Sequence, residues 1–160
     1  MKWISLLETA AGIPSSAPDT AELSAQYRAG RGVGVVTLGE RYLFFRRLWS
    51  VYYLPYEALS RFFRRIVAVP AKIGCCGTGE IRVEHLVLCA VPGGADGQPG
   101  QERELAQIQL PGERAALALM EELRRRAPHA AYGRPVPGAE TAPEGQAAPG
   151  PDAVEEEVEA

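Results

Sequence analysis

One change of period constrains this chain more than any other feature. From residue 32 to residue 110, apolar residues recur in short strand-like runs broken by Gly, Pro and charged turns. At Pro111–Gly112 the spacing switches to 3.6, and Ala116, Leu119, Met120, Leu123 and Ala127 fall on one helical face. Glu113 at the start of this segment and Arg124, Arg125 and Arg126 at its end suit the helix dipole, and Pro128 stops it. Successive strands followed by one amphipathic helix predict a mainly β, α+β chain. Its helix should bury Leu119 and Leu123 against strand residues such as Val67, Val83 and Ile108.

The strand runs differ in clarity. Residues 32–38, "GVGVVTL", read as one short β-branched strand closed by a Gly39–Glu40 turn. "RYLFFRR" (41–47) and "SVYYLPY" (50–56) read as a hairpin about Leu48–Trp49. Pro55 weakens the end of the second run, because proline cannot donate to a ladder. "LSRFFRRIVAV" (59–69) alternates, with Arg61, Phe63, Arg65 and Val67 on one face and Phe62, Arg64 and Ile66 on the other. In "EIRVEHLVLCA" (80–90), Ile81 and Val83 should face inward and Glu80, Arg82 and Glu84 outward. The alternation slips at His85–Leu86, which predicts a bulge or a strand change there. Residues 92–102 are loop by composition, and "LAQIQL" (105–110) is the last strand.

Three parts follow from this reading. Residues 1–31 form a leader with a short helix around 3–11, a Pro/Ser break at 14–18 and a second helix at 19–28. Residues 32–128 form the compact domain. Residues 129–160 form a tail of Pro, Gly, Ala and Glu. Seven acids against Arg134 give that tail a charge of −6, so the overall −3 hides a domain and leader of +3. With almost no residue able to enter a core, the tail is expected to be disordered.

The stretch "LGERYLFFRRLWSVYYLPYEALSRFFRR" (38–65) resembles a recurring bacterial pleckstrin-homology-like (PH-like) pattern. There a hydrophobic strand follows a Thr/Gly turn, and a step of the form seen here as Leu54-Pro55-Tyr56-Glu57-Ala58-Leu59 leads into the next strand. The resemblance covers residues 33–127. It implies a small barrel or two orthogonal antiparallel sheets capped by the C-terminal α-helix. Phosphoinositide-binding members carry basic residues around their first hairpin loop. The corresponding loop here, Leu38-Gly39-Glu40-Arg41, holds an acid and departs from that pattern.

Two clusters are candidates for chemistry. Cys75 and Cys76 sit between glycines, and with His85 and Cys89 they make the one set that resembles a metal or thiol site. Adjacent cysteines lack the two-to-four-residue spacing that lets thiolates converge on zinc, and a thioredoxin-type pair needs two residues between. The pair therefore reads as a tight β-turn, with no metal and no cofactor expected, and a thiol- or metal-dependent activity stands as the alternative. The second cluster is basic and aromatic: nine of the twelve aromatic residues lie between Tyr42 and Phe63. Arg46, Arg47, Trp49, Arg61, Arg64, Arg65 and Lys72 are the candidate binding residues on such a face.

No P-loop, dinucleotide fingerprint, Ser-His-Asp arrangement or paired-carboxylate site is present. "GRGVG" (30–34) precedes a strand and does not join a strand to a helix. The expected function is thus a non-enzymatic binding or scaffolding module with an unidentified protein partner. Peripheral contact of the arginine/aromatic face with an anionic membrane or a phosphorylated ligand is the alternative, and self-association is compatible with the same surface. Nucleic acid is not an expected partner, given the acidic tail. A cytoplasmic location is expected from three cysteines without framework spacing and an N-terminus interrupted by Glu8.

Overall fold

A computed structural model describes residues 2–13, 17–74, 77–91 and 100–135. Nine strands and two α-helices occur among them. Strand β1 is Lys2–Ser5, followed by a single π-helical turn, Leu7–Ala11, and helix α1, Thr20–Ala29. Strands β2 (Arg31–Val33), β3 (Val36–Leu38), β4 (Tyr42–Arg47) and β5 (Ser50–Pro55) come next. A 3-10 turn at Tyr56–Ala58 leads to β6 (Arg61–Ile73), β7 (Gly77–Ala90) and β8 (Arg103–Leu110). Helix α2 is Glu113–Arg126, and β9 is Ala131–Tyr132.

These strands make two sheets, ordered β1-β5-β4-β3-β2 and β8-β7-β6-β9. Within each, sequence neighbours pair antiparallel, while β1 joins β5 and β9 joins β6 in parallel. The sheets are therefore mixed, not purely antiparallel, and they remain two sheets instead of closing into a barrel. Each parallel strand comes from outside the two meanders, so nothing forces it into an antiparallel hairpin.

The main core lies between the sheets. It joins Val36, Leu38, Leu43 and Leu54 from the first sheet to Phe62, Leu86, Leu88 and Ile108 from the second. Helix α2 contributes the expected face, since Ala116, Leu119, Met120, Leu123 and Ala127 are all buried there. Of the three strand partners expected for it, only Ile108 belongs to this cluster. Val67 and Val83 do not, because β8 first pairs with β7 at Glu84↔Leu110, and the hairpin beyond that point projects past the third strand. The outer face of the first sheet is covered by α1: Leu23 and Tyr27 pack with Trp3 on Phe44. Asp19 caps α1 by accepting from the Ala21 N–H at 3.0 Å, which fits the helix expected at 19–28.

Other expectations need correction. The helix expected over residues 3–11 is helical only from Leu7, and Lys2–Ser5 is a strand. The open side of β5 supplies a backbone partner, and Trp3 finds the Tyr27 and Phe44 rings at 5.7 and 5.8 Å. Tertiary pairing outweighs local propensity here. The single strand expected at 32–38 is a hairpin of β2 and β3, turned at Gly34 with φ +61°. A Cβ at Gly34 would also meet the Pro111 ring at 2.8 Å.

Along β7, Ile81 is 53% exposed and Glu84 is buried, opposite to the expected alternation. The run passes regularly through His85–Leu86, and the irregularity comes at Leu88/Cys89 instead, where Leu105 of β8 is left over. Continuous apolarity there reflects burial on both faces. Leu86 and Leu88 face the main core, while Val87 and Cys89 form a satellite cluster with Phe63. At the other end, part of the segment expected as tail is structured. Ala131 and Gly133 donate N–H groups to the Ser60 and Phe62 carbonyls, and the Tyr132 ring lies 5.7 Å from Phe62. Residues 136–160 lie outside the described residues.

Candidate functional site

The seven arginine, lysine and tryptophan candidates do not form one face. On β6, Arg61 and Arg65 point one way and Arg64 the other, and each has carboxylate partners. Arg61 binds Glu102 at 2.8 Å, and Arg65 binds Glu104 and the Gln107 side chain while its guanidinium covers the Phe63 ring at 5.4 Å. Arg64 makes a two-pronged pair with Glu84 and reaches Glu113 of α2 at 3.1 Å. These pairs form a polar lid over the satellite cluster on one face and a clasp between sheet and helix on the other. Lys72 is exposed near the far end of β6.

Electrostatics in the clasp are one-sided. Hydrogen bonds from Arg64 hold the Glu84 carboxyl below the usual carboxylate range, against the opposing effect of burial. The same pairing raises Arg64 further above its already high ordinary value. This arginine is held as a structural cation.

Arg46, Arg47 and Trp49 remain, and the β4–β5 hairpin gathers them at one end. Both guanidines are exposed and have no carboxylate partner among the described residues. They border a cleft of about 770 Å³ between the two sheets. Its apolar wall is the Phe45–Tyr52 pair, directly opposed in the ladder and stacked at 5.1 Å with an interplanar angle of 9°. Its other wall is the run Leu105, Ala106, Gln107, Ile108 and Gln109 of β8, which among the described residues has a sheet neighbour on one side only. The Leu7–Ala11 turn closes one end through Thr9 and Ala10, and Thr9 is pinned by donating to the Ser5 carbonyl at 2.7 Å.

No known protein family, curated protein or solved structure matches the chain.

Within the cysteine–histidine set, His85 and Cys89 stand apart on β7. Cys75 and Cys76 lie outside the described residues, between Gly74 and Gly77 at the end of the β6–β7 hairpin. His85 is eight residues along β7 from Gly77 and Cys89 is twelve, or about 26 and about 40 Å at the rise of a strand. His85 and Cys89 themselves are about 13 Å apart by the same measure. Among the described residues no group of three His, Cys, Asp or Glu is placed to hold a metal ion. Burial pushes the Cys89 thiol up to about 11, so at neutral pH it is a protonated, apolar group packed on Phe63 and Val87.

Sequence reasoning found Arg46, Arg47 and Trp49 but missed the β8 wall and the Leu7–Ala11 turn. One usable signal was present. Phe45 shares a face with Arg47 at strand spacing, so an aromatic floor behind that arginine was readable. The wall supplied by β8, about sixty residues later, was not.

Proposed function

We propose that this chain is a non-enzymatic binding module of PH-like architecture that captures an extended, acidic segment of a partner protein in the cleft beside β8. The element order supports the architectural part: a four-strand meander, a three-strand meander and then α2. The observation that carries the binding reading is the meeting of three groups in one cleft. These are β8, outermost in its sheet among the described residues, the stacked Phe45–Tyr52 wall, and Arg47, which has no carboxylate partner among those residues. A strand with one open side takes an added strand through main-chain hydrogen bonds, and alternate side chains of the guest then meet the cleft walls. Apolar guest residues would lie on Phe45 and Tyr52, and acidic ones would reach Arg46 and Arg47. Charge at the mouth sets partner choice and encounter rate more than affinity.

The test uses two synthetic peptides of equal length, one alternating Val with Glu and one alternating Val with Lys. The full chain should bind the acidic peptide with a Kd of roughly micromolar order. Amide hydrogens of residues 105–109 should become protected, and Arg47→Glu should reverse the preference. Equal binding of both peptides, or protection elsewhere with β8 unaffected, would discard the cleft as the binding site.

A further inference from the structure

The turn between β4 and β5 is made of residues that a two-residue hairpin ordinarily avoids. Such turns place residues at positive φ and favour Asn, Asp or Gly. Here the residues are Leu48 and Trp49. Leu48 has φ +55° and is the only non-glycine residue at positive φ among those described. Both side chains are held in solvent, with Leu48 82% and Trp49 86% exposed, and neither belongs to any buried cluster. The chain thus accepts backbone strain in order to present two large apolar groups at a convex tip. Strain of this kind persists where the surroundings enforce it, and it is a pointer to function.

The charges behind the tip add a second, independent observation. Arg46 donates from Nε to the Leu48 carbonyl at 3.4 Å, which ties its guanidinium to the turn. Arg47 stands opposite Ser50, and Arg46 stands opposite Val51, so both lie within two ladder ranks of the tip. Neither has a carboxylate partner among the described residues, whereas Arg61, Arg64 and Arg65 each have one.

We propose that the Leu48–Trp49 tip inserts into the headgroup layer of an anionic bilayer, with Arg46 and Arg47 meeting lipid phosphates behind it. A convex apolar tip has no cleft to fill on its own molecule. The tryptophan indole, apolar in body with one N–H donor, favours the boundary between headgroups and acyl chains. Insertion to about 5–10 Å would bring the two guanidines, one and two ranks behind, level with the phosphates. Two side chains make a shallow anchor, so binding is reversible and weakens as salt screens the arginines. The tip projects beyond the cleft, and this inference does not depend on the peptide-binding reading.

The experiment uses the full chain carrying Trp3→Phe, so that Trp49 is the sole tryptophan. Vesicles of phosphatidylcholine alone are compared with vesicles containing about a third phosphatidylserine, a strongly anionic surface. The expected result is a blue shift of Trp49 emission and co-sedimentation with the anionic vesicles, both reduced several-fold on neutral vesicles and in high salt. Leu48→Gly should raise the thermal midpoint by relieving the positive φ while lowering vesicle binding, a combination that loss of folding cannot produce. Emission that stays at its solvent wavelength with both vesicle types would overturn the proposal. So would equal binding to neutral vesicles, or a Leu48→Gly chain that binds as well as the parent. A shift seen only with the acidic peptide would assign the tip to a protein partner instead and reject the bilayer.

Discussion

Glu84 shows how much one side chain can tie together. It sits on β7 almost out of solvent, accepts two hydrogen bonds from Arg64, and through that arginine is linked to Glu113 at the start of α2. A buried carboxylate is tolerated when it is paired in this way, and removing one partner leaves the other charge uncompensated. Glu84→Gln should therefore cost about 1–3 kcal/mol near neutral pH, the range for hydrogen bonds to charged groups. Because folding lowers the Glu84 pKa below its ordinary 4.5, the carboxylate's contribution is present above that value. It is lost as pH falls through the folded-state pKa. Urea midpoints of parent and variant should accordingly differ at neutral pH and converge on acidification below about 4.5. A gap that stays constant into strong acid would show that the loss is one of packing and not of charge.

At the scale of elements, α2 offers two adjacent glutamates in opposite situations. Glu121 is exposed, whereas Glu122 is buried and pairs with Arg31 at 2.8 Å, Arg125 at 2.6 Å and Arg126 at 3.6 Å. Leu123, fully buried in the main core, anchors the helix. Leu123→Ala should cost about 2–5 kcal/mol, and Glu121→Ala should stay within about half a kcal/mol of the parent. Glu122→Ala should fall between them, as read from denaturant midpoints. Equal effects of the Leu123 and Glu121 changes would mean that α2 is not a structural part of the core. The helix was legible in the sequence because its period, its charges and Pro128 are all local. The hairpin at Leu48–Trp49 was legible for the same reason. Strand β1 was not, since its partner β5 lies about fifty residues later and its own residues also suit a helix. Nor was the fate of the arginines on β6, whose carboxylate partners lie 20 to 49 residues away. Charge counting shows how many cations a segment holds, but pairing across a fold decides which remain available.

For the whole molecule, where the chain stops contributing to stability can be located by truncation. Removing residues 136–160 should leave the thermal midpoint nearly unchanged, because that composition can bury little apolar surface. Truncation directly after Pro128 also removes Tyr132, which packs on Phe62 and lies under the Arg124 guanidinium at 5.3 Å. A loss of roughly 1 kcal/mol from such ring contacts corresponds to a drop of a few degrees in a domain of this size. If the two truncations behave alike, β9 is an ornament of the sheet edge. A different consequence follows from the length of the β6–β7 hairpin. Its first half is flanked by β8 and β9, while among the described residues 67–73 and 77–83 form a ribbon of two strands only. Two strands alone are marginal in water, so the hairpin should behave as a zipper with one loose end. Hydrogen exchange should run from fast at residues 77–83 to slow at 86–90, within a single continuous strand. The free energy of opening would then be graded along the longest strand among the described residues, and a ligand or surface that met the loose end would have only the first few rungs to rearrange.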